Sequence, residues 1–170
     1  RPIIFALANP NPEIMPDAAR AVAPDAIIAT GRSDFPNQVN NVLCFPFIFR
    51  GALDVGATTI NDEMKIACIE GIAALARETT SAEAAAAYQG EQLTFGADYL
   101  IPKPFDPRLV GIVSSAVARA AMETGVATRP IADMEAYKAA LDGSVFKSAL
   151  LMRPVFQAAR SSPRRIVFAE

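Results

Sequence analysis

The chain has 170 residues, 52% of them apolar, and a formal charge of −2 from 16 Lys and Arg against 18 Asp and Glu. That length supports one domain with a core plus an appendage, and so small a charge, with no basic stretch interleaved with aromatics, argues against nucleic acid as a partner. The sequence holds no histidine, which excludes imidazole triads, imidazole-bound zinc and histidine general-base chemistry from this segment.

The chain opens on Arg1-Pro2-Ile3-Ile4-Phe5, with no initiator Met and no signal-peptide layout, and is expected to be a trimmed or excised piece. Residues 3–8 form a continuous apolar run of the kind that makes a buried parallel strand. Asn9-Pro10 stops it, because the residue before proline avoids the α region. A short helix is expected from about Pro16, then a second buried strand over residues 26–29, closed by Thr30-Gly31, and a polar loop over 32–37. A helix is expected from about Gln38 to Val55, kinked or restarted at Pro46. Asn61 is placed to cap a helix over residues 62–77, with Asp62 and Glu63 at its positive end. Met64, Ile66, Ala67, Ile69, Ile72, Ala73, Leu75 and Ala76 give that helix a broad apolar face. This order predicts an α/β fold, the C-terminal part of a doubly wound, Rossmann-type nucleotide-binding domain. Two strands alone make no stable sheet in water, so the remaining strands are expected upstream.

The second half changes character and predicts a mostly helical segment. A short Ala-rich helix is expected over 81–87, a proline-stiffened extended segment over 100–107, and a helix over 108–123 ended by Gly125. Helices over 134–141 and 147–159 follow, then a linker at 161–163 and the start of another strand at 165–169. The expected division is 1–80, second half of a nucleotide-binding domain; 81–160, helical extension or connector; 161–170, linker and opening of a further domain. The longest apolar run, residues 42–49, contains Pro46 and falls far short of the ~20 residues that cross a bilayer, so no membrane partner is expected. Cys44 and Cys68 read as small buried hydrophobes of a reducing, cytoplasmic compartment.

Open α/β sheets bind ligands outside the carboxyl ends of their strands. Asn9 follows the first strand; Thr30, Gly31, Arg32, Ser33 and Asp34, then Asn37, Gln38, Asn40 and Asn41, follow the second. A neutral amide donates to a carboxylate or a carbonyl without adding charge, and a helix start supplies free N–H groups. Together they suit a small anionic substrate or the carboxamide of a nicotinamide. On a helix, Asn40 and Asn41 point roughly 100° apart, so that one faces substrate and the other cofactor or backbone. The same residues have ordinary structural uses: Asn before Pro forms turns, and Asn at a helix start caps it. Arg32 is a phosphate ligand or a solvated loop residue, and Asp34 a cap or loop closure. No Gly-rich phosphate loop is present, since Gly51 and Gly56 do not follow a strand in the required pattern. The scattered carboxylates of the first half predict no metal site.

Phe5-Ala6-Leu7-Ala8-Asn9-Pro10 with Pro12-Glu13-Ile14, Ala29-Thr30-Gly31-Arg32-Ser33-Asp34-Phe35-Pro36-Asn37-Gln38-Val39-Asn40-Asn41-Val42-Leu43, and Ile48-Phe49-Arg50-Gly51-Ala52-Leu53-Asp54 resemble the malic enzyme family over residues 3–78. Tyr99-Leu100-Ile101-Pro102-Lys103-Pro104-Phe105-Asp106 and the closing Arg164-Arg165-Ile166-Val167-Phe168-Ala169-Glu170 are similar to the bacterial hybrid NADP-dependent type, the latter to the opening of its phosphotransacetylase-like domain. The resemblance implies oxidative decarboxylation of (S)-malate to pyruvate and CO2, with NADP (or NAD) as cofactor and Mg2+ or Mn2+ held by ligands outside this chain. It makes Asn9 and Asn41 substrate-binding and Asn40 cofactor-binding. It implies upstream and downstream domains of the same polypeptide and a homo-oligomer as partners. The family's Tyr acid, Lys base, acidic metal ligands and Gly-rich turn belong upstream of Arg1, and Tyr88, Tyr99, Tyr137 and Lys103 do not sit in those motifs. The chain is therefore expected to hold no catalytic residue and to be inactive alone. The alternative is a non-catalytic helical connector or oligomerisation module of a multidomain metabolic enzyme.

Overall fold

A computed structural model describes residues 1–79 and 93–144. The elements run β1 (Ile3–Ala6), α1 (Pro16–Val22), β2 (Ile27–Thr30), a 3-10 turn (Asn41–Leu43), α2 (Phe45–Asp54), α3 (Asp62–Arg77) and α4 (Leu109–Glu123). Residues 134–144 are helical as well. The helices expected over 81–87 and 147–159, the linker at 161–163 and the strand at 165–169 lie outside the described residues.

β1 and β2 pair in parallel, Ile4 opposite Ile28 and Ala6 opposite Thr30. The crossover α1 starts on Pro16, whose fixed φ suits a first turn. It lays Ala19 against Ala26 and Ile28, with Ile4 and Ala23 at the edge of this small cluster. β1 is shorter than the apolar run that encodes it. Pairing stops at Ala6 because its partner strand turns away after Thr30, and Leu7 is 44% exposed.

The larger core lies between the helices. α4 packs on both α2 and α3, burying Val113, Val117, Met64, Leu75 and Leu109 completely. It draws on residues from both sides of position 80. α2 meets α4 at Gly51, where an added Cβ would overlap the Ser114 carbonyl and touch Val117. α3 carries the predicted cap: Asn61 Oδ1 accepts the Met64 N–H at 3.0 Å. Its buried face is narrower than its sequence predicts, with Met64, Cys68, Leu75 and Ala76 inside but Ile66 and Ile69 exposed, because the described residues cover α3 mainly along α4. Gly125, at φ 73, ends the turn after α4, as its sequence position predicts. The chain then folds back on the end of α2. Arg129 N–H donates to the Val55 carbonyl (2.8 Å). The Tyr137 hydroxyl donates to Asp54 (2.7 Å), which also accepts from Arg50 Nε (2.6 Å). Burial and the Asp54 carboxylate push the Tyr137 phenol up, so this hydroxyl acts as a structural donor. No described helix is long and apolar enough to cross a membrane.

Two predicted elements change. The helix expected from Gln38 to Val55 does not begin at Gln38: residue 38 bridges back to Thr30, Asn40 is extended (φ −143, ψ 134), and only α2, from Phe45, is α-helical. Pro46 sits in the first turn of α2, the restart rather than the kink of the two outcomes expected there; in a first turn its missing N–H has no intrahelical acceptor to lose. The segment 100–107 is turned rather than extended, with Asp106 N–H donating to the Lys103 carbonyl (3.1 Å) and Pro102 and Asp106 buried.

Asp106 is the start signal of α4. Its carboxylate accepts from the Arg108 N–H (3.0 Å), Nε (3.0 Å) and Nη2 (2.7 Å), and Arg108 Nη1 reaches the Thr79 carbonyl (3.1 Å) just past α3. The Asp106 side chain is 2% exposed and that of Arg108 20%. Asp106→Ala would leave the mostly buried guanidinium with only the Glu78 carboxylate (3.5 Å) and the Thr79 carbonyl, and breaking such a pair costs on the order of 3 kcal/mol. A drop of that size in the unfolding free energy of the full-length protein in urea is the expected result; a change within ~0.5 kcal/mol would show the pair to be dispensable.

Candidate functional site

Beyond β1 the chain passes through Leu7 and Ala8 to Asn9. The Ala8 N–H donates to Glu13 Oε2 (3.1 Å), closing the turn. Its own backbone N–H and that of Ala8 hold the Glu13 carboxyl below the usual carboxylate range. Beyond β2, Thr30 is fully buried and its hydroxyl accepts the Arg32 N–H (3.2 Å). The loop then returns to the strand it left. Val39 N–H donates to the Thr30 carbonyl (2.8 Å) and Gln38 Nε2 to the Gly31 carbonyl (3.3 Å). This return leg carries Asn40 and Asn41 back beside the end of β1.

The result is a cavity of about 320 Å³ lined by Leu7, Asn9, Gly31, Val39, Asn40 and Asn41. It sits outside the carboxyl ends of both strands, where a parallel sheet binds its ligands. All three asparagines singled out in the sequence line it. They get there differently from the sequence reading, which put Asn40 and Asn41 on one helix 100° apart. Asn40 is the extended cap of the 3-10 turn, with its Oδ1 accepting the Val42 N–H (3.1 Å), and Asn41 is the first residue of that turn. The Asn40 oxygen is thus engaged, and its NH2 is the end left to donate. The carboxamides of Asn9 and Asn41 make no hydrogen bond to another described residue, and all three side chains are exposed.

No charged side chain lines the cavity. Arg32 does not aim into it. Its Nε (2.9 Å) and Nη2 (2.7 Å) grip both oxygens of Asp34, and its guanidinium lies 5.5 Å from the centre of the Phe35 ring. The Asp34 carboxyl is held below its usual range by that hydrogen bond. Tyr99 and Lys103 line a different cavity, of about 510 Å³, with Ser33, Asp34, Phe35 and Asn37. Among the described residues no group of three His, Cys, Asp or Glu converges as metal ligands do. The sulfurs of Cys44 and Cys68 lie 3.2 Å apart as free thiols. Burial, then the neighbouring Cys44, pushes the Cys68 thiol up to about 12, which makes it a packing group rather than a nucleophile.

The sequence reading placed Asn37 among the amides that follow β2 but gave it no role of its own. It is 5% exposed, sits at φ 54, and its amide bonds only to main-chain groups. Its one local signal was that Asn tolerates the left-handed region better than most residues.

Residues 1–88 match the family model described as malic enzyme, NAD binding domain. The chain belongs to the malic enzyme family. The NADP-dependent malic enzyme of Haemophilus influenzae is 64% identical over 169 residues, 99% of this chain, and the NAD-dependent malic enzyme of Rhizobium meliloti is 63% identical over 171 residues, 100% of it. The chain spans 22% of the length of each of these relatives. The crystal structure of malic enzyme from Pyrococcus horikoshii Ot3 aligns with a TM-score of 0.73 at 38% identity, covering 94% of this chain and 33% of that one. The malic enzyme match includes both strands, the loop between β2 and α2 and all of α3, so the asparagine cavity lies wholly inside it.

Proposed function

We propose that this chain forms the substrate side of the active site of a longer protein that oxidatively decarboxylates (S)-malate to pyruvate and CO2, reducing NADP+ or NAD+. The convergence of Asn9, Asn40 and Asn41 on one uncharged cavity at the strand ends carries this reading. Asn9 and Asn41 donate N–H groups to the oxygens of malate, each such bond to a charged group being worth about 1.5–3 kcal/mol. Neutral donors hold a dianion in one orientation without a fixed positive charge to hold it in its ground state. The Asn40 NH2, with its oxygen occupied by Val42, faces the carboxamide of the nicotinamide. The nicotinamide, when bound, supplies the hydride acceptor. We assign the proton-transfer groups, the Mg2+ or Mn2+ ligands and the phosphate-binding turn to flanking parts of the same polypeptide, and the assembly to a cytoplasmic homo-oligomer.

We retain the division into residues 1–80, the domain half that carries the cavity; 81–160, a helical extension; and 161–170, a linker opening a phosphotransacetylase-like domain. The second reading, a helical connector or oligomerisation module, draws on α4 and residues 134–144, none of which line the asparagine cavity. The two readings hold together in different halves.

With malate, NADP+ or NAD+, and Mn2+, the full-length protein is expected to form pyruvate and reduced nucleotide, and residues 1–170 alone to form neither above blank. Turnover by the 170-residue chain would overturn the assignment of the catalytic groups elsewhere. Failure of the full-length protein to turn over malate would overturn the activity.

A further inference from the structure

We infer that Asn37 is a positioning residue: its buried carboxamide clamps the return leg of the β2 loop between β2 and the turn at residues 97–100, and thereby sets where Asn40 and Asn41 stand. Asn37 Nδ2 donates to the Ile28 carbonyl (3.1 Å) and the Ala97 carbonyl (2.8 Å), and its Oδ1 accepts the Leu100 N–H (2.8 Å). One side chain thus ties together β2, the loop and a segment some sixty residues away in sequence. All three partners are backbone groups, so the clamp fixes main chain to main chain. The backbone at Asn37 is left-handed (φ 54), which places the amide inward while the chain reverses toward Gln38.

The stretch ahead of the clamp has little else to hold it in place. Ser33, Asp34 and Pro36 are exposed, and the Arg32–Asp34 pair is internal to the loop. Past Asn37, the return leg is anchored by Val39 on Thr30 and Gln38 on Gly31, and Asn40 follows at once. Releasing the clamp leaves those two bonds to define the approach of Asn40 and Asn41 to Asn9. A loss of register of about 1 Å in groups that orient a substrate is enough to cost substantially in rate. The residues that receive the clamp, Ala97 and Leu100, lie beyond the 1–88 match to the nucleotide-binding domain, so the second half of the chain shapes the site without lining the asparagine cavity.

The inference rests on the reading that Asn41 contacts malate, and a double-mutant cycle in the full-length protein separates the two. Asn37→Gly keeps the left-handed backbone but removes the carboxamide; Asn41→Ala removes the proposed contact. Asn37→Gly is expected to raise the malate KM about tenfold with a smaller change in kcat, and by no more than about twofold when Asn41 is already Ala. Effects that multiply independently, or an Asn37→Gly enzyme with the wild-type malate KM, would overturn the clamp. An Asn41→Ala enzyme with unaltered kinetics would instead overturn the reading beneath it. Should Asn37→Gly not accumulate as folded protein, Asn37→Asp, which keeps the acceptor for Leu100 and tolerates the same backbone, goes through the same cycle with the same two outcomes.

Discussion

Gly51→Val is expected to destabilise the helical core by about 3 kcal/mol or more, a large share of the 5–15 kcal/mol that holds a domain together. In an open helix, replacing Gly by a residue with a side chain adds stability, because glycine loses the most backbone entropy on folding. At Gly51 the sign reverses. A Cβ there overlaps the Ser114 carbonyl of α4 and stands 3.0 Å from Val117 Cβ, and neither a helix backbone nor a core valine has room to retreat. Separating α2 from α4 would strip cover from Val113 and Val117, both fully buried. Gly71 is the internal control. A Cβ there meets Ile112 Cγ2 at 3.5 Å, an ordinary contact, so Gly71→Ala on α3 is expected to be neutral or stabilising by up to ~1 kcal/mol. Urea unfolding of both variants in the full-length protein tests the pair. Equal behaviour of the two would show that α2 and α4 do not approach as closely as described.

Asn9→Asp is expected to raise the malate KM about a hundredfold while leaving the fold intact. The substitution is nearly isosteric and exchanges an NH2 donor for a carboxylate oxygen. It removes one charge-assisted hydrogen bond, ~1.5–3 kcal/mol, and adds like-charge repulsion of ~1 kcal/mol or more, which together amount to about two decades in affinity. The fold should not register the change, because Asn9 is exposed and its carboxamide bonds to no other described residue. The nucleotide KM should move little, since the nicotinamide contact is proposed for Asn40 and not for Asn9.

What was legible in the sequence is what local rules determine. Asn61 caps α3, Pro16 opens α1, and Gly125 closes the turn after α4, each through contacts within a few residues. The two strands are readable as apolar runs ended by turn residues, and the rule that ligands gather at strand ends draws Asn9, Asn40 and Asn41 to one place. The failures share one cause, partners far away in sequence. The run 38–44 contains no Gly or Pro to break a helix, but the bonds that Gln38 and Val39 make to Gly31 and Thr30 hold it extended up to Asn40. Asn37 looked like any loop amide because Ala97 and Leu100 are some sixty residues on. Gly51 looked like an ordinary helical glycine because Ser114 comes from another helix. Asp106 and Arg108 are neighbours in sequence, yet the burial that gives their pairing weight comes from the packing of α4.

The central claim is that the asparagines at the two strand ends hold malate. Steady-state kinetics of full-length Asn9→Asp, with malate varied at saturating nucleotide and Mn2+, tests it most directly. The expected result is a malate KM raised about a hundredfold, with nucleotide KM and unfolding midpoint unchanged. A malate KM within twofold of the wild type would contradict it.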